Sequence, residues 1–337
     1  MVFEGLDGFV RLAGSGADLE GLPTDLACTG LYSDIATGKL APDAVSFTPA
    51  VALSSDGAEK RRWIKLPPDT QIDNANPMRW KFPVGTRFFK EFGYPETGAI
   101  ETRYFWKERQ GLWHYTTYLW SADHTRATRL DTGRTVEGPA VGAHYVPTRR
   151  ECEQCHGASD DRMLGFEQVS LGTLGAQGVT LASLVEKNLL TVKPQSVNLI
   201  VGDDGSGKAE PILRWFHINC GVSCHNDDEN SAGYSSRLRF ELDPAQLDGR
   251  PSNTFQPIAL SVNQKAWTPK WANQMRIVPG SPETSLLYKL ISTRCRGENC
   301  QMPPIASLRT DAKYTKQVYD WIKGMTPVAP PPTTPPT

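Results

Sequence analysis

The sequence predicts a multidomain α+β protein, with an N-terminal β-sandwich-like domain followed by mainly α regions. Three observations carry this. Up to Tyr145 the chain alternates apolar and polar positions and is dense in aromatic residues. Beyond residue 148 the apolar spacing becomes helical. The end, Pro330-Pro331-Pro332-Thr333-Thr334-Pro335-Pro336-Thr337, has the composition of an extended spacer. The boundaries that follow are 1–147 for the β-rich domain, 148–210 and 211–326 for two further regions, and 327–337 for a disordered tail.

Strand signals begin after Leu31. Arg62-Trp63-Ile64-Lys65-Leu66 alternates, and Trp80-Lys81-Phe82 runs through a Pro83-Val84-Gly85-Thr86 turn into Arg87-Phe88-Phe89-Lys90. Residues 100–107 and 112–120 read as a hairpin around Glu108-Arg109-Gln110-Gly111. Aromatic residues fall on both faces of these strands, as in a sheet covered on both sides, which a β-sandwich supplies most simply. Trp113, Tyr115, Tyr118 and Trp120 are read as core; a sugar-stacking platform is the alternative. Helices are predicted over 149–156, over 180–190 with Leu181, Leu184, Val185 and Leu189 on one side, over 285–292, and over 312–323 with Gly324 as C-cap. Residues 191–207 read as a connector.

The chain has 337 residues, enough for two or three domains with their own cores. Its 36 basic and 37 acidic residues are well mixed, so there is no basic stripe for nucleic acid. No segment approaches the ~20 apolar residues of a membrane-spanning helix. The start, Met1-Val2-Phe3-Glu4-Gly5, lacks a charged region followed by an apolar one.

The chemistry is concentrated in two short patterns. Cys152-Glu153-Gln154-Cys155-His156 has the C-x-x-C-H spacing of covalent haem attachment, in which two thiols react with two vinyl groups and the adjacent histidine ligates iron. Cys220-Gly221-Val222-Ser223-Cys224-His225 is a near-copy with one extra residue between the thiols. A zinc site is the competing reading, but zinc does not require a histidine after each second cysteine. A redox dithiol is another, although the residues before Cys152 lack a clear strand and βαβ surround. The sequence therefore predicts two covalently bound haem c groups, with Cys152, Cys155, Cys220 and Cys224 as thioether donors and His156 and His225 on iron.

Gln301-Met302-Pro303-Pro304 offers a thioether sulfur for a sixth position, and the prolines restrict the backbone beside it. Here the chain resembles the c-type cytochromes in which a haem motif is followed, one small helical domain later, by a Met-Pro-Pro loop. That resemblance implies His225 as proximal and Met302 as distal ligand, within a cytochrome c-like domain over 211–326. Cys295 and Cys300 bracket a glycine-containing turn before Met302 and are placed to form a short disulfide, which suits an oxidising compartment. Cys28 is left over and is read as a buried, small apolar residue. For the first haem, Met275 and His217 are the distal candidates by sequence separation. Met163, close behind His156, would have to wrap around the porphyrin edge and is set aside. A five-coordinate or water-bound iron remains open.

The wider chain resembles a group of secreted bacterial haem proteins of unassigned function, through residues 55–64, Leu66-Pro67-Pro68, Trp80-Lys81-Phe82-Pro83-Val84-Gly85-Thr86 and the segment from Arg149 to His156. Val278-Pro279-Gly280-Ser281-Pro282-Glu283, Leu286-Leu287-Tyr288 and the later Met-Pro-Pro resemble the cytochrome-type domains found in many such proteins. The resemblance confers no reaction. The expectation is an electron-transfer dihaem c-type cytochrome of the cell envelope, periplasmic or extracellular after loss of a signal peptide, serving a redox partner protein or a surface electron acceptor. The alternatives are a peroxidase- or oxidase-type dihaem enzyme with an open first haem, and a carbohydrate- or surface-binding module that carries haem.

Overall fold

A computed structural model of the chain describes residues 21–136, 142–156, 161, 163–295, 300–305 and 307–326, without the side chains of Glu153 and Gln154. The expected tail over 327–337 and the turn over 296–299 lie outside the described residues.

The strands are β1 (Tyr32–Asp34), β2 (Lys39–Leu40), β3 (Val45–Thr48), β4 (Glu59–Lys65), β5 (Arg87–Tyr94), β6 (Gly98–Arg109), β7 (Leu112–Trp120), β8 (Ala127–Leu130), β9 (Arg134–Val136), β10 (His144–Val146) and β11 (Gln177–Gly178). One seven-stranded sheet runs in the order β11-β3-β4-β5-β6-β7-β8, while β1 with β2 and β9 with β10 make two-stranded ribbons. Its pairings are antiparallel, and the hairpin expected over 100–120 is the β6–β7 pair.

Register decides which side chains share a face, because side chains alternate along each strand. Ile64, Phe88, Phe105 and Tyr115 lie opposite one another across four strands, and Trp63, Phe89 and Tyr104 take the other face. Both faces are buried, but neither by a second sheet of similar size among the described residues. Leu22, Leu26 and Leu31 cover the face of Trp63, Phe89, Tyr104 and Tyr118. Phe166, Leu171, Leu181, Leu184 and Leu190 cover the face of Ile64, Phe88 and Phe105. The expectation of a sandwich thus meets another cover: aromatics on both faces report that both are dry, not what dries them. Trp113 and Tyr115 stand on the opposite face of β7 from Tyr118 and Trp120, so the four rings form no single platform. Tyr118 is fully buried, and the Trp113 and Trp120 indoles donate to Asp161 and Thr102.

The helices are α1 (Arg149–His156), α2 (Gln168–Gly172), α3 (Leu181–Glu186), α4 (Ala209–Phe216), α5 (Gln256–Ala259), α6 (Leu286–Ser292) and α7 (Ala312–Gly324). The helix expected over 180–190 stops at Glu186, since Asn188 takes a left-handed φ of 52°. A second core joins Ile212, Leu213 and Phe216 of α4 to Leu287 and Ile291 of α6, Val318, Trp321 and Ile322 of α7, and Val169 of α2. The helical core and the sheet therefore meet through the short segment that follows the first motif. Cys28 differs from expectation: it is exposed, in a turn whose inward residues are Leu26 and Thr29.

Candidate functional site

The first motif rides on α1, whose start is fixed by a capping box. The Thr148 hydroxyl accepts from the Glu151 amide at 3.2 Å, and the Glu151 carboxylate accepts from the Thr148 amide at 2.8 Å and its hydroxyl at 2.9 Å. Tyr145 on β10 donates to the same carboxylate at 2.7 Å and so ties α1 to the strand before it. The helix lies on the Phe105 face of the sheet, with the His156 ring 4.9 Å from Phe105 and the Arg149 guanidinium over Tyr115.

The second motif follows α4 directly. A π-helical turn, His217–Gly221, carries His217 and Cys220. Both the Cys224 amide and the His225 amide donate to the Cys220 carbonyl, at 3.3 and 2.7 Å. The second of these spans five residues, so the turn is wide enough to absorb the extra residue of the C-x-x-x-C-H spacing. Buried Asn226 donates to the Gly221 carbonyl at 2.8 Å and accepts from the Ser231 hydroxyl at 2.7 Å, closing the loop. Gly233 approaches so closely that a Cβ would lie 2.7 Å from the Cys224 carbonyl oxygen and 2.8 Å from His225 Nδ1.

His225 is held in one tautomer. Its Nδ1 lies 3.1 Å from the Ser236 hydroxyl, which donates its own proton to the Gly233 carbonyl at 2.6 Å. Nδ1 is then the donor in this hydrogen bond. Burial pushes the His225 pKa down to about 4, against a smaller upward push from the Leu238 backbone, so the ring is neutral at neutral pH. Asn226, Gly233 and Ser236 were not singled out from the sequence; only their closeness to the motif could have drawn attention to them.

The structure brings the two motifs together: the Cys155 and Cys224 thiols are hydrogen-bonded to each other. That hydrogen bond, then burial, raises the Cys155 pKa, and burial raises that of Cys220. Reactive dithiols need the opposite shift. Zinc ligation would require several thiolates around one point, and among the described residues no three His, Cys, Asp or Glu side chains converge as a metal-binding group.

Met302 is partly buried against the helical core, as is Cys220 of the second motif. Its loop is fastened on three sides. The Met302 amide donates to the Leu290 carbonyl at 2.8 Å, and the Gln301 side chain accepts from the Cys295 amide at 2.9 Å and donates to the Pro303 and Ser307 carbonyls, each at 3.0 Å. Cys295 and Cys300 lie at disulfide distance, with Cα atoms 6.2 Å apart.

The two distal candidates for the first haem stand elsewhere. His217 is buried, with Nδ1 accepting from the Leu242 amide at 3.0 Å and Nε2 3.3 Å from Glu167, so both ring nitrogens are engaged. Met275 precedes Arg276, whose guanidinium donates to the Ser236 carbonyl, beside His225. His217 therefore belongs to the second motif's own turn, and Met275 pairs through its backbone with Lys265 and Leu286. Met163, set aside on sequence, lines a cleft of about 650 Å³ together with Met78, Trp80, Phe166, Val222 and Phe255. Val222 belongs to the second motif, which makes the cleft contiguous with it.

In comparisons with family models, with curated proteins and with solved structures, the chain matches none. No helix among the described residues is long and apolar enough to cross a membrane.

Proposed function

We propose that the protein is an electron-transfer dihaem c-type cytochrome of the cell envelope. The observation that carries this reading is the meeting of Cys155 with Cys224. Cys155 and Cys224 would each anchor a haem through a thioether, and the two anchoring sulfurs are neighbours, as a relay between two one-electron centres requires. The donor sets fit the group: each motif supplies two thiols and an adjacent imidazole, and His225 is a neutral ring at neutral pH. Bound haem would supply a one-electron iron couple tuned by its axial ligands. The protein's share is to fix Met302 in a stapled loop, to hold His225 through Ser236, and to keep water away with the Phe216, Phe240 and Trp321 core. The Cys295–Cys300 pair agrees with an oxidising compartment, and the counterpart would be a redox partner protein or a surface electron acceptor.

A second reading rests on His217, whose two ring nitrogens are already engaged with Glu167 and Leu242. An iron at His156 would then lack that expected distal donor, as a peroxidase- or oxidase-type dihaem enzyme would require. One experiment separates the two. A pyridine haemochrome spectrum and intact mass of protein matured in a periplasm should give two haems per chain; zero would overturn the cytochrome reading. Carbon monoxide added to the reduced protein should leave the spectrum unchanged for a pure carrier, whereas binding at one haem per chain would favour the enzyme.

A further inference from the structure

Face to face with the first motif, the sheet carries a row of cations that its own residues do not neutralise. Arg62, Lys90 and Arg103 are direct cross-strand neighbours on β4, β5 and β6, and Lys60 follows on the same face of β4. They share that face with Phe105, on which His156 rests. Arg103 lies within electrostatic range of Cys152 and Cys155, and Lys90 within range of Cys155.

The carboxylate on this face beside Arg103 is Glu101, while Asp56 and Asp311 lie within electrostatic range of Lys60 at the end of the row. Glu101 accepts from Arg103 at 2.7 and 3.1 Å and faces His144 Nε2 at 3.0 Å, so its charge is already divided. Arg62 is only 5% exposed, and its buried Nε has no hydrogen-bond partner. The Lys90 ammonium lies 5.0 Å from the Phe92 ring centroid and makes no hydrogen bond among the described residues. Lys60 donates to the Ala58 carbonyl at 2.8 Å. Adjacent, largely covered cations with so few anions beside them are expensive, because desolvation and mutual repulsion act together. Both effects are visible: burial and the neighbouring arginines push Lys90 well down and bring Lys60 to about 7. Nature places such rows where an anion completes them.

We infer that Arg62, Lys90 and Arg103 form an oxyanion site that holds a carboxylate, or an oxyanion of similar size, between the sheet and the first motif helix. Two sources share this chemistry. One is a carboxylate of a haem attached at the motifs, an arm that rests on the cytochrome reading. The other is a free small oxyanion, which does not.

The test uses the full chain in two preparations, matured with the haem-attachment machinery and made without it. Each is melted against sodium sulfate, with sodium chloride at equal ionic strength as control, and haem is counted by pyridine haemochrome on the same samples. If haem carboxylates fill the site, sulfate raises the Tm of the haem-free chain saturably and leaves the haem-loaded chain at its chloride value. If a free oxyanion fills it, both preparations respond alike. In either case Lys90→Met and Arg62→Met abolish the sulfate response. Without sulfate, the haem-free Lys90→Met chain melts at or above the unsubstituted chain, since an uncompensated charge has gone, which separates lost binding from lost folding. No response beyond chloride in either preparation, or one that survives both substitutions, overturns the site. A matured chain that counts zero haem but still responds to sulfate through Lys90 would overturn the cytochrome reading and leave the oxyanion site standing.

Discussion

At the scale of single residues, burial and charge pairing decide the outcome. Asp161 accepts from the Lys107 ammonium at 2.5 Å, the Phe82 amide at 2.6 Å and the Trp113 indole at 2.7 Å, while Lys107 is itself fully buried and also donates to the Phe82 carbonyl. Asp161→Asn leaves an uncompensated buried ammonium, and the expected loss is about 3–5 kcal/mol, read as a lowered urea midpoint. Glu101 gives a pH-dependent counterpart. Burial pushes its pKa up, but Arg103 and His144 outweigh this and bring it below 4.5. Because the folded value is depressed, its contribution is complete above the unfolded value and is lost as pH falls through the folded one. Glu101→Gln should therefore flatten the acid limb of the stability curve below about pH 4.5, and an unchanged limb in urea melts from pH 6 to 3 would refute the assignment. Neither residue could be picked out from sequence: alternation marks a lysine or glutamate on a strand as solvent-facing, and only the cover supplied from elsewhere in the chain buries it.

At the scale of elements, legibility depends on whether the information is local. The α1 helix was readable because a Thr-x-x-Glu box writes its own start, and both cysteine patterns could be singled out because they are contiguous in sequence. The Cys155–Cys224 contact was not readable, because it joins segments separated by α2, α3 and α4. The wide turn that accommodates C-x-x-x-C-H was hidden for a different reason, since a π-type turn has no propensity signature distinct from that of an ordinary helix end. Two substitutions test these local devices. Glu167 caps α2 by accepting from the Val169 and Ser170 amides at 2.7 and 3.0 Å and also faces His217 in the π turn. Glu167→Gln should cost about 1–3 kcal/mol and speed amide hydrogen exchange across residues 217–222, whereas exchange that quickens only in α2 would show that His217 is held by other contacts. Gly233→Ala drives a methyl into the Cys224 carbonyl and His225. If the chain carries haem at both motifs as proposed, its expected mark is a shifted reduction potential at one of them with the other unchanged; two unchanged potentials would mean that the loop yields without moving His225.

At the scale of the whole molecule, the boundary drawn at residue 147 separates strand-like from helix-like sequence, yet the hydrophobic core ignores it. Phe47, Ile64, Phe82, Phe88 and Phe105 of the β-rich part share one cluster with Phe166, Leu171, Leu181, Leu184 and Leu190 from beyond the first motif. β11 adds to the sheet edge by pairing with β3, and the Thr191 amide donates to the Ile72 carbonyl at 3.0 Å. Periodicity assigns a type to each segment but not the face on which it settles. Removing everything after residue 147 would expose the Phe88 face of the sheet, an apolar surface of the size that marks aggregation or loss of fixed packing. A chain ending at residue 147 should therefore bind a hydrophobic dye and lack a cooperative thermal transition, while one ending at residue 200 should regain cooperativity because the segment over 163–190 is restored. Cooperative melting of the shorter chain would make the β-rich part an independent domain and reduce the packing of α2 and α3 to docking. If the longer chain alone melts cooperatively, the first motif is built into the body of the sheet domain, and whatever chemistry the two motifs share begins inside that core.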